Sequence, residues 1–193
     1  PGVGLDTNNL PDIAWCEVPG GEIAVEMERS GKLTRFLGAS RSKTRRVEPF
    51  YIAKYPVTWI QYRSFLEADD GFKDPNWWQG LLFQVEEEHR QFNQRDNHPV
   101  ENLSWLEAVA FCRWLTAKLG YEVRLPTEWQ WQQAATGGNP ENEYPWGAWD
   151  SSYANTYESG LNRSTAVGMY PRGASPVGAL DMSGNLFEWC LNE

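Results

Sequence analysis

Histidine and cysteine are scarce in this sequence, with two His and three Cys among 193 residues. The thiols Cys16, Cys112 and Cys190 are odd in number and far apart. That argues against a disulfide-stapled secreted module and against a zinc site of closely spaced Cys and His. Reduced cysteines and a cytoplasmic location are expected instead. Long apolar runs are also missing. The stretch Ala108 to Leu115 is interrupted by Arg113, far short of the roughly 18–20 residues of a membrane span. Basic residues are in deficit, 17 Lys and Arg against 26 Asp and Glu, for a net charge of −9. No nucleic-acid partner is expected from such a balance, because general phosphate attraction needs the opposite sign.

Aromatic residues are abundant: 11 Trp, 8 Tyr and 8 Phe. Rings in this number fit a loop-rich fold anchored by aromatic side chains, or an aromatic ligand-binding face. Trp77, Trp78 and Trp146 in particular could form a stacking platform or fill a core. The length suits one domain, with residues 1–14 as a flexible N-terminal arm and 15–193 as the folded unit. Residues 14–18 and 22–26 flank Pro19-Gly20-Gly21 and read as two strands around a turn, and residues 49–53 as a third. Arg41, Lys43, Arg45 and Arg46 form a basic cluster that reads as a solvated loop. His89 lies in the charged run Glu86 to Arg90 and reads as solvated surface, whereas His98 precedes a helix and suits a structural hydrogen bond.

Three helix starts share one signal. Thr58 precedes Gln61, Ser104 precedes Glu107 and Thr127 precedes Gln130, each at the spacing of a capping box. The helix over 104–119 has Trp105, Val109, Cys112, Leu115 and Leu119 as its predicted buried stripe and Gly120 as its stop. Cys112 on that stripe reads as a small core residue, and Cys190 as a buried or incidental thiol.

From Gly137 to Gly184 the chain is rich in Gly, Pro, Asn and Ser and shows little periodicity. So long a stretch needs something to order it, and a hard cation satisfies several carbonyls at once. Asp181 and Glu188 flank Gly184, and a turn there could aim both carboxylates and the carbonyls of Gly184 and Leu186 at one point. A solvated turn bearing two surface acids is the alternative. A weaker second pattern runs from Ala154 to Leu161.

Seven runs then occur in order: Pro49 to Ile52, Tyr55 to Thr58, His98 to Trp105, Arg124 to Trp129, Tyr144 to Gly147, Ala154 to Thr156 and Gly184 to Trp189. Together they resemble the formylglycine-generating enzyme (sulfatase-modifying factor) family. The resemblance implies an α+β, C-type-lectin-like fold with two main helices, short twisted strands, much irregular loop and structural Ca2+. It places one ion on Asp181, Gly184, Leu186 and Glu188. It places a second on Asn155 and Thr156, with Ser159 and Leu161 falling where the family has an acidic residue and a carbonyl.

Enzymes of this family oxidise a sulfatase cysteine to formylglycine, using copper held by two cysteines in a segment after the Glu-Trp motif. Cys190 follows that motif directly and does not match either position. Copper is therefore expected only if a segment beyond Glu193 carries the cysteine pair. No catalytic residue is assigned within this chain. The resemblance also covers non-catalytic bacterial relatives of this fold, namely variable proteins of diversity-generating retroelements and sensor modules of signalling proteins. It thus implies a display scaffold that binds a protein or peptide ligand through its C-terminal face, with the oxidase as the alternative.

Overall fold

The computed structural model describes residues 1–26 and 42–191. Among these described residues four short strands form two antiparallel pairs. β1 (Trp15–Val18) pairs with β4 (Phe50–Ala53), with Trp15 opposite Ala53 and Val18 opposite Phe50. β2 (Gly21–Glu26) pairs with β3 (Ser42–Val47), from Gly21 opposite Val47 to Glu26 opposite Ser42. The three expected strands are present within a residue at each end.

β3 was not expected. The basic cluster from Lys43 to Arg46 is a paired strand rather than a solvated loop, and Arg41 lies outside the described residues. Pairing supplies what the strand's own composition lacks. Glu22 stands opposite Arg46 across the ladder, and the Arg45 guanidinium lies 5.2 Å from the centre of the Trp129 ring.

The helices α1 (Trp59–Glu67), α2 (Trp105–Leu119) and α3 (Glu128–Thr136) each begin at the expected cap. At α2, Glu107 Oε2 accepts from Ser104 N at 2.8 Å while Glu107 N donates to Ser104 Oγ at 3.3 Å. At α3, Thr127 N donates to Gln130 Oε1 at 3.0 Å and Gln130 N to Thr127 Oγ1 at 3.2 Å. Gly120 closes α2 at φ 74°, its N–H donating to Thr116 O.

The buried face of α2 differs from the expected stripe. Leu106, Ala110, Phe111, Trp114 and Leu115 are buried, whereas Trp105, Val109, Cys112 and Leu119 are only half-buried. The helix is apolar on two sides, and its largest rings turn toward α1. Phe65 and Trp114 meet at 5.4 Å between ring centres, and Tyr62 and Phe111 at 5.6 Å.

Trp78 joins this core from a 3-10 turn at Pro75–Trp78, and Trp77 packs on its edge. Arg113 fixes the turn by donating to Trp77 O and Gln79 O at 2.9 and 2.8 Å. Trp146 belongs elsewhere: it stacks on Tyr144 at 5.6 Å beside Trp149 and Tyr153. The three tryptophans therefore form no single platform.

A second core joins α3 to the strands through Val18, Ala134, Ala135, Ala179 and Met182. Residues 1–14 are docked rather than loose. Thr58 Oγ1 donates to Val3 O at 2.9 Å, Gln61 Nε2 to Asp12 O at 2.7 Å and Gly2 N to Asp12 Oδ2 at 2.8 Å. The buried side chains of Thr58 and Gln61 thus tie the start of α1 to the N-terminal segment, while the first main-chain N–H groups of the helix donate to His98 O and Asp96 O. Among the described residues no helix is long and apolar enough to cross a membrane. Among the described residues beyond α3 the helical structure is two 3-10 turns, Tyr157–Ser159 and Pro171–Gly173.

Candidate functional site

Three features converge where the last described segment crosses the helices. Residues 186–191 run over the starts of α2 and α3. Trp189 Nε1 donates to Leu103 O at 2.9 Å, Trp105 Nε1 to Cys190 O at 3.0 Å and Leu191 N to Pro126 O at 2.8 Å. This anchoring makes residues 186–189 one wall of an open groove of about 1030 Å3. Its other walls are β4, the half-buried side of α2 at Ala108 and Cys112, and residues 121–126. Most of that lining is apolar, and Tyr51, Tyr121, Phe187 and Trp189 are exposed around it. Residues 121–126 form no strand, although Tyr121, Val123 and Leu125 alternate with polar residues as in a half-buried strand. That alternation is the signal by which the groove could have been found in the sequence.

Beside the groove lies the Asp181–Glu188 loop. Gly184 (φ 87°) sits so close to the neighbouring chain that a Cβ would lie 2.7 Å from Asn155 O. Asn185, also left-handed at φ 64°, stitches three segments together. Its N–H donates to Asn155 O at 2.8 Å, and its Oδ1 accepts from Thr165 N at 2.9 Å and from Asn155 Nδ2 at 3.3 Å. Asp181 is buried, and its Oδ2 accepts from Gly168 N at 2.6 Å. Burial raises its pKa above the usual carboxylate range despite that bond.

Glu188 is exposed as a residue, and its Oε2 accepts from Trp131 Nε1 at 2.8 Å. Desolvation pushes its pKa up to about 7, the Trp131 bond lowers it, and the Asp181 charge raises it further. The two acids thus feel one another, and only N–H donors offset their charge. Two carboxylates and flanking carbonyls are hard oxygen donors, a set that fits Ca2+. Among the described residues no group of three or more His, Cys, Asp or Glu could hold a metal, so main-chain oxygens would have to complete the shell. Gly184 O already accepts from Leu186 N at 2.8 Å.

The second predicted set, Asn155, Thr156, Ser159 and Leu161, gathers around a hydroxyl. Ser159 Oγ lies 2.8 Å from Asn155 Oδ1 and 2.7 Å from Thr156 O, and Leu161 N donates to it at 3.3 Å. Glu158 turns outward to accept from Thr156 Oγ1 at 2.7 Å.

His89 is not free surface. Its Nδ1 lies 2.6 Å from Oε2 of the fully buried Glu107, whose capping role at α2 left the carboxylate available for a second partner. His98 Nδ1 accepts from Asn93 Nδ2 at 2.6 Å, as a structural histidine does. Burial, together with the charges of Arg95 and Arg163, lowers its pKa. Cys16, Cys112 and Cys190 are free thiols.

Residues 6–193 match the family described as sulfatase-modifying factor enzyme 1-like domain. A formylglycine-generating enzyme from Thermomonospora curvata is 27% identical over 201 aligned residues, covering 80% of this chain and 63% of that protein. A hercynine oxygenase from Mycolicibacterium thermoresistibile is 33% identical over 168, covering 74% of this chain and 35% of that one. The chain thus spans about a third of the oxygenase's length. Among solved structures, Treponema denticola variable protein 1 superposes with a TM-score of 0.63 at 18% identity, over 91% of this chain and 71% of that one. The mixed architecture of few helices and small sheets is a formylglycine-generating-enzyme-like, C-type-lectin-like fold.

Proposed function

This chain belongs to the sulfatase-modifying factor family, and we propose that within it the chain is a scaffold that binds a protein or peptide ligand through the groove on its C-terminal face. The observation that carries this reading is the groove itself, about 1030 Å3 in volume and largely apolar. It is flanked by residues 121–126, which form no strand, and by five exposed rings, Trp15, Tyr51, Tyr121, Phe187 and Trp189. A largely apolar groove rimmed by aromatic rings suits a peptide whose apolar and aromatic side chains fill it and give selectivity. The likeness of fold to a variable protein agrees with this use of the C-terminal face.

The test is selection of peptides from a random display library against the chain. The winners are expected to lose binding to Phe187→Ala and Tyr51→Ala, and to keep it with Tyr157→Ala, which changes an exposed ring that does not line the groove. Selected peptides indifferent to the groove variants would refute the reading.

Structural Ca2+ on Asp181, Gly184, Leu186 and Glu188 belongs to the same proposal, supported by the two mutually repelling carboxyls. An ion bound only by the native state raises Tm by mass action. Chelation is therefore expected to lower Tm, and Asp181→Ala or Glu188→Ala to abolish that response. A cytoplasmic location is part of this reading too, in keeping with the free thiols.

The identity to a formylglycine-generating enzyme supports one other reading, an oxidase whose copper-holding cysteines lie beyond Glu193. Copper-dependent conversion of a Cys-x-Pro-x-Arg peptide to formylglycine by the full-length protein would favour it over the scaffold.

A further inference from the structure

The oxygens of the 155–161 turn do not fit a cation. Ca2+ takes six to eight oxygens at roughly 2.3–2.6 Å, commonly with carboxylates among them. Here the point toward which Asn155 Oδ1 and Thr156 O converge is filled by Ser159 Oγ, at 2.8 and 2.7 Å. A hydroxyl donates one proton and accepts through its lone pairs. Ser159 does both, since Leu161 turns its N–H toward the same oxygen at 3.3 Å. A donor aimed at the centre opposes a cation, and no carboxylate faces inward, because Glu158 is held outside by Thr156 Oγ1. The other face of Asn155 is committed as well: its Nδ2 donates to Arg163 O at 2.8 Å.

We propose that Ser159 Oγ substitutes for a cation in this turn, so that the turn is closed by a hydroxyl without Ca2+, and that a carboxylate at position 159 converts it into a cation site. The inference is independent of the groove reading. It is also independent of whether the Asp181–Glu188 loop is loaded, because each comparison is a difference between chains that share that loop.

The probe is Tb3+, a luminescent substitute for Ca2+, titrated into the whole chain and read as bound equivalents, with Tm recorded in Ca2+ and in chelator. Ser159→Ala is expected to bind as many equivalents as the unaltered chain and to melt lower by the same amount in both media. Ser159→Asp is expected to bind one equivalent more, and to melt below the unaltered chain in chelator while recovering in Ca2+. Loss of one bound equivalent in Ser159→Ala would overturn the proposal, since the hydroxyl would then have been a ligand. Failure of a folded Ser159→Asp to gain an equivalent would also overturn it. If Ser159→Asp does not fold, the comparison of Ser159→Ala with the unaltered chain still decides whether the native turn holds an ion.

Discussion

The segment from α1 to α2 and the segment after α3 reach order by different means. In the first, rings interlock: Tyr62, Phe65, Phe72, Trp78, Phe111 and Trp114 are all buried and meet edge-on or tilted. In the second, Asn, Ser and Asp side chains bond to main chain across loops, as at Asn155, Ser159, Asp181 and Asn185. Ring packing is non-directional and adds up over many contacts, so it tolerates some rearrangement. The polar stitches are directional, and each one lost leaves a buried group without its partner. One molecule thus contains a region stabilised by volume and another stabilised by geometry.

The sharpest way to break the first region is Trp114→Ala. It empties a site that is 1% exposed between Phe65 and Phe111. The expected loss is about 3–5 kcal/mol, read from urea unfolding. Next comes Gly184→Ala in the second region, where the methyl would meet Asn155 O at 2.7 Å and the backbone is left-handed. Backbone strain contributes about 1–3 kcal/mol to the expected loss, seen as a lower Tm that Ca2+ does not restore. Ser104→Ala probes the seam between helix and loop. Loss of the α2 cap is expected to cost about 1 kcal/mol in the same unfolding assay.

The smallest effect concerns reactivity. Burial pushes the Cys112 thiol up to about 12. Its thiolate fraction at pH 8 is therefore very small and rises about tenfold per pH unit until the pKa is reached. Iodoacetamide is expected to label Cys112 slowly at pH 8 and markedly faster at pH 10. Rapid labelling at pH 8 would mean that the α2 side of the groove is more open to solvent than the helical core behind it.

The same contrast explains what the sequence made legible. Thr58, Ser104, Thr127 and Gly120 marked helix ends because caps act over three or four residues. Those signals held. The stripe on α2 is misplaced because Trp105, Val109 and Cys112 recur at helical three- and four-residue steps just as the true inward set at Leu106, Ala110 and Trp114 does. Only the partner helix decides between two apolar faces. β3 was hidden because Lys43 to Arg46 carries no apolar alternation, and its strand state depends on β2. His89 reads as surface in the sequence because its partner Glu107 is eighteen positions away. In the loops, Asp181, Gly184 and Glu188 were singled out as residues. Asn185, which stitches those loops together, was passed over, since its partners at 155 and 165 lie far off in the chain.

Gly184 carries one more consequence. With only a hydrogen atom's width between it and the Asn155 carbonyl, the two stretches of chain cross at a fixed pivot. The turn 157–163 hangs from that crossing and is tied to it through Asn155, by Ser159 Oγ and Arg163 O. Residues 186–189 leave directly from this crossing, so whatever spreads the two stretches apart carries one wall of the groove with it, as a door frame moves when its hinge pin is shifted.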